Sequence, residues 1–490
     1  MGRKHRPRRR GEEAQATVIQ GPWRRRGRRQ WDAAATDRLT FSFLGAGADI
    51  NAELRAAIAP VRARARHLEQ NDEYARRFLQ LVETHVVGAA GFLLQVRAKN
   101  RRGDPDRRGS EQVEAEFREW SRVADIAGQL TFPALCRLVV RTCARDGECL
   151  IRLHDVRPDA DNPFGFALEV LDPARLDHQY QDDLPNGRRV RLGVELAASG
   201  RPLAYHLLSQ DLLSGRTERV RVAAEDLIHL YLPEVPGQLR GISWLAAAMP
   251  GLNALAAYDE AAVTAARVGA AKMGFYKSPD GGLHALSEQQ EDGELVEDAE
   301  PGHFGHLPPG YDFLTWDPNY PHDQYADFTR QCLHRLAMGL GVSYAGLTGD
   351  LKDVNYSSIR AGVLEEREHW MVLQQWFIDR FLRPVYRRWL SAAVLNGRVG
   401  GRLAQEEAIR RYSQVSWQGR RWPWVDPLKD IQAVVAAIAA GLKSPQQVAA
   451  ELGVDIEEIL DQIARFRQQA EEKGVSLSWN DPGGGPMKTG

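Results

Sequence analysis

Between Cys149 and Leu232 the chain is cut into short apolar or alternating runs, and this texture restricts the fold more than any other feature. The runs are Cys149 to His154, Phe166 to Leu171, Arg191 to Leu196, Leu203 to Leu208, Thr217 to Val222 and Leu227 to Leu232. Turn-forming pairs separate them: Asp172-Pro173, Asn186-Gly187, Ser199-Gly200 and Ser214-Gly215. Runs of this length and punctuation read as strands, so a mostly antiparallel β-rich domain is expected here. Helical patterning lies on both sides of it, which makes the fold class α+β.

On the N-terminal side a helical pattern runs from Asp49 to Val87, with Asp49 and Asn71 as N-caps and Gly88 as the stop. Two further helices fit residues 110–127 and 133–145, and a polar, basic loop from Arg97 to Arg108 precedes them. On the C-terminal side Ser243 caps a short segment before Pro250, and a helix fits 250–271. Its Leu252, Leu255, Ala256, Ala262, Val263, Ala266 and Ala270 make a face of mostly small residues, which lets helices approach closely. Residues 273–322 are rich in proline and glycine and read as irregular. Another helix fits 323–338, with Tyr325, Phe328, Cys332 and Leu336 on one face, and Gly339 and Gly341 end it. A polar loop follows to Ser357, which is positioned to cap the next helix. That helical region, to about Leu395, places Val363, Trp370, Leu373, Phe377, Phe381 and Trp389 at helical spacing, and Pro384 must kink or divide it. The last hundred residues are mainly helical and end in a flexible tail over 476–490. At 490 residues the chain has room for about three domains and a substantial core.

Charge narrows the functional classes. Sixty-four basic residues stand against 65 acidic ones, so a protein that coats nucleic acid by bulk positive charge is disfavoured. The balance is a sum over unlike regions. The first 48 residues form a basic, disordered tail containing Arg8, Arg9, Arg10, Arg24, Arg25 and Arg26. This tail reads either as a contact for nucleic acid or an acidic partner, or as a solvated terminus. An acidic run with Glu288, Glu291, Asp292, Glu294, Glu297, Asp298 and Glu300 crosses the irregular segment, where a solvated loop is the plain explanation. Four cysteines without a C-x-x-C pair do not make a disulfide scaffold or a zinc ribbon and suit a reducing compartment. No apolar h-region follows the basic N-terminus, and the longest charge-free stretch, Gly241 to Tyr258, is too short to span a membrane.

Catalytic signatures are missing. There is no G-x-x-x-x-G-K-[ST] and no H-E-x-x-H, and the thirteen histidines do not join the cysteines at metal-ligand spacing. Gly339-Leu340-Gly341-Val342-Ser343 misplaces the serine of a nucleophile elbow. Asp350 and Asp353 form a weak candidate metal pair, since loop aspartates more often cap turns. No enzyme activity, metal or cofactor is expected. Ser444-Pro445-Gln446-Gln447 opens a capping box, and the stretch to Ile459 has helix-turn-helix spacing. Its second helix begins Asp455-Ile456-Glu457-Glu458 and continues to Asp461, and these acids would repel phosphates. A helical packing module is expected there rather than a DNA reader.

Several motifs in fixed order resemble the lambda-type family of tailed-phage portal proteins. The strongest are Gly339-Leu-Gly-Val-Ser-Tyr-Ala-Gly-Leu-Thr-Gly-Asp350 and Val354-Asn-Tyr-Ser-Ser-Ile-Arg-Ala-Gly362. Arg145-Asp-Gly-Glu148, Leu171-Asp-Pro173, Ala204-Tyr-His206, Ile228-His-Leu-Tyr231, Arg240-Gly-Ile-Ser-Trp-Leu245, Trp417, Trp422-Pro-Trp-Val-Asp-Pro427 and Gly441-Leu442 support them. The resemblance spans roughly residues 70 to 475. It implies a ring, typically of twelve subunits, at one capsid vertex, through which double-stranded DNA enters and leaves without sequence specificity. In the terms of that family, 49–240 is the wing, 241–272 and 323–341 hold the stem helices, and 273–322 is the clip. Residues 342–356 are then the tunnel loop, 357–396 a long kinked helix and 397–475 the crown.

The resemblance also implies partners and sites. Asp350, Lys352, Asp353 and Asn355 would lie in the DNA-facing loop, with Lys352 and Asn355 approaching the backbone, or with Lys352 merely paired to Asp350 or Asp353. The acidic clip would meet a separate terminase and then a head-completion or head-tail connector protein. Capsid protein and scaffold are further implied partners, no membrane is implied, and the setting is a virion assembled in a bacterial cytoplasm. A portal of a domesticated prophage or gene-transfer particle is an equal mechanical fit. A packaging enzyme or a sequence-specific DNA binder fits the residues poorly.

Overall fold

The computed structural model describes residues 49–210, 217–270, 274–277, 290–291, 294–295, 312–315, 324–352, 356–422, 427–452, 454 and 456–475. Helices α1 (Ile50–Asn71) and α2 (Glu73–Val82) open the fold. Leu54, Ile58, Ala65 and Leu68 of α1 are buried at helical spacing, and Arg62 shares their face. The cap between the helices is Asp72, not Asn71, which is the last residue of α1. Asp72 Oδ1 accepts from Ala75 N at 2.7 Å, the geometry of an N-cap aspartate. One wide π turn, Glu83–Val87, continues α2 until Gly88, at φ +75°, ends it.

Strand β1 (Leu93–Val96) leads into the basic loop, which is a small hairpin closed by a bridge between Lys99 and Pro105. Helix α3 (Arg107–Trp120) is shorter than its sequence pattern, because Ser121 to Leu130 turn back around the Asp125 carboxylate. Helix α4 (Phe132–Asp146) ends at Gly147, which takes the left-handed conformation that suits glycine.

The β-rich region follows as β2 (Glu148–Asp155), β3 (Phe166–Leu171), β4 (Asp182–Asp183), β5 (Arg189–Arg191), β6 (Val194–Leu196), β7 (Pro202–Gln210), β8 (Thr217–Ala223) and β9 (Leu227–Tyr231). Every pairing among them is antiparallel, in a β3-β2-β9 sheet and a β4-β5-β6-β7-β8 sheet. The run expected as one strand, Arg191 to Leu196, is instead a turn between two strands. Leu192 and Gly193 at φ +52° and +79° reverse the chain, a turn that a leucine does not advertise. Leu150, Leu171, Val194, Leu196, Tyr205, Leu207, Val222 and Leu227 fill a core of their own.

Helix α5 (Met249–Ala270) comes next. The segment expected to be irregular carries short strands β10 (Gly274–Lys277), β11 (Gln290–Glu291), β12 (Glu294–Leu295) and β13 (Asp312–Thr315), paired β10 with β13 and β11 with β12. Helices α6 (Tyr325–Leu340), α7 (Tyr344–Thr348) and α8 (Tyr356–Phe377) follow. Ser357 therefore lies inside α8 rather than at the position before its first turn. The turn Ile378–Leu382 is π-helical and passes straight into α9 (Arg383–Leu395). Pro384 is thus accommodated without a break, since widening the turn before it relieves the clash with a preceding carbonyl.

The largest core lies where α3, α4, α8, α9 and β3 meet. Trp389 is fully buried beside Phe117, Trp120 and Tyr386, and Trp120 Nε1 donates to Phe166 O at 2.9 Å. Helix α10 (Gln405–Tyr412) and strand β14 (Val415–Gln418) close it, with β14 antiparallel to β1. Helices α11 (Pro427–Ala439), α12 (Pro445–Leu452) and α13 (Ile456–Glu472) complete the chain. The capping box at Ser444 forms: Gln447 N donates to Ser444 Oγ at 3.1 Å and Ser444 N donates to Gln447 Oε1 at 2.9 Å. At the start of α13 Glu457 pairs with Arg107 at 3.1 Å, an exposed contact between α13 and α3. No described helix is long and apolar enough to cross a membrane.

Candidate functional site

The loop singled out from the sequence is built from caps. Gly341, at φ +68°, ends α6, and Ser343 Oγ accepts from Gly346 N at 3.1 Å to start α7. Gly349, at φ +73°, ends α7 one turn later. Asp350 then gathers the exit. Its carboxylate accepts from Lys352 N at 2.9 Å, from Tyr344 Oη at 3.1 Å and from an Arg330 guanidinium nitrogen at 3.4 Å. The Lys352 N–H, with Tyr344 and Arg330, holds the Asp350 carboxyl below the usual carboxylate range. Tyr344 stacks on His334 of α6 with ring centroids 4.1 Å apart. Asp350 is therefore a turn organiser, held by residues of its own chain.

Lys352 is exposed, and its ammonium makes no hydrogen bond or ion pair with a described residue. Only its backbone N–H touches Asp350, so the Lys352–Asp350 ion pair considered from the sequence does not form. Asp353 and Asn355 lie outside the described residues, as do Glu288, Asp292, Glu297 and the tail arginines Arg8, Arg9, Arg10, Arg24, Arg25 and Arg26. Glu291 and Glu294 lie at opposed register positions of the β11–β12 hairpin. Among the described residues no group of three His, Cys, Asp or Glu side chains is placed to hold a metal.

Sequence reasoning missed a buried ionic hub on which five of the quoted motifs converge. Glu148 is fully buried at the start of β2. Its carboxylate accepts from Arg240 Nε at 2.8 Å and Nη2 at 2.5 Å, from Arg62 Nη2 at 2.7 Å, and from Gly241 N at 3.2 Å. His229 Nε2 lies 2.9 Å away. Burial pushes the Glu148 carboxyl up, but Arg240 and His229 outweigh it and the group sits well below the usual carboxylate range. Burial lowers His229 more than the Glu148 charge raises it, so the ring is neutral and donates through Nε2.

Arg240 is itself fully buried and also donates to the carbonyls of Leu176 and Leu192. Beside this hub, Arg66 bridges Asp146 and Asp172, and Arg145 bridges Asp146 and Glu69. Tyr205 packs edge-on against His229. These motifs tie α1 and α4 to both sheets, and their chemistry is structural. A charged residue on the apolar face of α1, Arg62, was the available signal.

A second nest joins the π turn after α2 and helix α8 to the segment after β14. His85, in the π turn, stacks on Trp370 and Trp422 with centroids 5.1 and 5.9 Å apart. Its Nδ1 accepts from Arg420 at 2.7 Å and from Trp422 Nε1 at 2.9 Å. Burial, with Arg420, Arg77 and Arg367 nearby, lowers His85 to about 4. In the unfolded chain the imidazole keeps its ordinary value near 6.5. The unfolded state therefore binds more protons between those values, and stability falls as pH drops through this window while staying flat above it. Unfolding midpoints measured from pH 7 to pH 4 are expected to fall more steeply for the natural protein than for His85→Gln; parallel profiles would contradict this.

Known proteins bear on these features. A family model described as phage portal protein, lambda family, matches residues 36–374. A probable portal protein of Halomonas phage phiHAP-1 is 30% identical over 426 residues, covering 85% of this chain and 81% of that protein. Portal protein B of Escherichia phage lambda is 25% identical over 452 residues, with 84% of each chain covered. Among solved structures, a chain from the neck of an empty GTA particle aligns over 86% of this chain and 99% of its own, at 17% identity and a TM-score of 0.44.

Proposed function

The chain belongs to the lambda family of phage portal proteins, and from that membership we propose that its copies close into a ring at one capsid vertex, through which double-stranded DNA is packaged and ejected. The observation that carries this reading is the family match across 36–374, which takes in the loop and the whole buried hub. In the proposed ring, typically of twelve subunits, 49–240 is the wing, α5 and α6 form the stem, and 273–322 is the clip. Residues 342–356 are the tunnel loop, 357–396 the long helix and 397–475 the crown. The clip acids Glu288, Glu291, Asp292, Glu294 and Glu297 would face terminase and then a connector protein. The basic tail would face capsid protein, scaffold or DNA. The chain would be a component of the virion.

A conduit must let DNA slide, and a ring repeats every contact in each subunit. Strong fixed cations would trap the duplex, because each phosphate contact deepens salt-dependent binding. The loop suits that demand: Asp350 is tied up in the turn, while Lys352 offers one mobile, exposed charge per subunit. Replacing Lys352 with alanine is expected to make retained-DNA binding less salt-dependent, with the log–log slope shallower by about 0.9 for each phosphate that is no longer neutralised. An unchanged slope together with normal packaging would count against the DNA-facing role. Electron microscopy of the purified protein tests the ring itself. Rings with an opening wide enough for a duplex are expected, and persistent monomers would overturn the reading.

A further inference from the structure

The outward face of α8 is unlike that of a helix meeting only water. Leu364 and Val372 are 47% and 66% exposed, and Glu365 and Glu368 are exposed beside them. Leu364, Glu368 and Val372 are spaced four residues apart and so form one stripe, with Glu365 at its edge. Neither Glu365 nor Glu368 has a hydrogen bond or ion pair with a described residue.

The opposite charge is displayed elsewhere on the same chain. Arg76 and Arg77 lie on the exposed side of α2, and neither pairs with a described carboxylate. Arg77 Nε is held by the carbonyl of Gly346 at 3.1 Å, which fixes it against α7. Arg420, close by at His85, is satisfied by the Thr84 carbonyl and the imidazole and adds a further cation with no described carboxylate beside it. Glu73, one turn earlier on α2, forms no ion pair with either arginine.

A head-to-tail ring requires two different, complementary surfaces on each copy, one for each neighbour. We propose that the Leu364, Glu365, Glu368 and Val372 face of α8 docks on the Arg76 and Arg77 face of α2 in the next copy. The inference rests on the ring proposed above and assigns one of its contacts. Leu364 and Val372 supply the apolar part from which water is expelled, and the charge pairs at its margin set register and speed encounter.

Charge reversal tests the pairing in the full chain. Glu365→Lys with Glu368→Lys, and separately Arg76→Glu with Arg77→Glu, are each expected to lower the fraction of protein in rings by about tenfold or more at moderate salt. The chain carrying all four reversals is expected to regain rings. All four side chains are exposed and, among the described residues, only Arg77 has an intrachain hydrogen bond to lose, so each variant should still melt cooperatively within a few degrees of the natural protein, which separates failed assembly from failed folding. Rings undiminished in either double variant, or four reversals that fold but do not assemble, would overturn the pairing while leaving the portal reading intact. Rings that persist while Arg76→Glu with Arg77→Glu loses only DNA retention would reassign the basic face to the duplex. Natural protein that never forms rings would remove the ring and this contact together.

Discussion

Replacing Glu148 with alanine is expected to destabilise the subunit by about 3–5 kcal/mol, the range seen when one partner of a buried ion pair is removed. The loss exceeds that of a hydrogen bond because of what is left behind. Arg240, fully buried, would keep its bonds to the two carbonyls but lose its counter-charge, and Arg62 would lose its ion pair with Glu148. His229 would lose the acceptor that fixes its tautomer. Glu148→Gln keeps the shape and one acceptor oxygen but no charge, so its effect should be smaller yet of the same sign. Chemical denaturation of the isolated subunit measures both. An unfolding free energy for Glu148→Ala lowered by less than about 1 kcal/mol, an ordinary single-mutation effect, would show that the hub does not tie the helices to the sheets.

Gly241→Ala should be as damaging for a steric reason. A β-carbon at 241 would overlap the carbonyl oxygen of Gly147 and lie 2.6 Å from its carbon. Both obstacles are backbone, so no rotamer change relieves them. From the other side, a β-carbon at Gly147 would overlap the Ile242 backbone, 2.6 Å from its nitrogen, and Gly147 also sits at φ +91°. The two glycines let the end of α4 and the segment after β9 touch backbone to backbone, which is what brings Arg240 onto Glu148. Gly241→Ala is expected to cost more than about 4 kcal/mol, in the exceptional class of single substitutions, and to give insoluble or unfolded chain. A soluble variant with an unchanged melting curve would refute this close approach. Gly237→Ala is a fitting control, because no atom lies within 4 Å of its added β-carbon, although its φ of +79° carries some strain.

The helices and most strands were legible because their apolar spacing is local. Trp370, Leu373, Phe377, Phe381 and Trp389 are all buried, as their spacing in the sequence requires. Signals that depend on distant partners were not legible. Arg145-Asp-Gly-Glu148 and Arg240-Gly-Ile-Ser-Trp-Leu245 could be quoted as motifs, but nothing in either says that Glu148 meets a residue 92 positions away. The Leu192–Gly193 turn was missed because leucine takes a positive φ only when its surroundings impose it. Asp350 was legible as a loop aspartate that caps a turn. That it organises the loop through Tyr344 and Arg330 emerges only when α6 and α7 are folded together.

The pairing of β1 with β14 also sets a schedule. Gln95 and Ser416 touch across 321 positions of chain. At a synthesis rate of about 5–20 residues per second, the first strand waits on the order of 15–65 s for its partner to leave the ribosome. Trp417, which packs against Phe117 and Tyr386, arrives with it. The aromatic centre therefore cannot close on a nascent chain, and a prematurely terminated product lacks the strand that seals it. Only a chain translated past Gln418 can therefore complete the interior around Phe117, Tyr386 and Trp417.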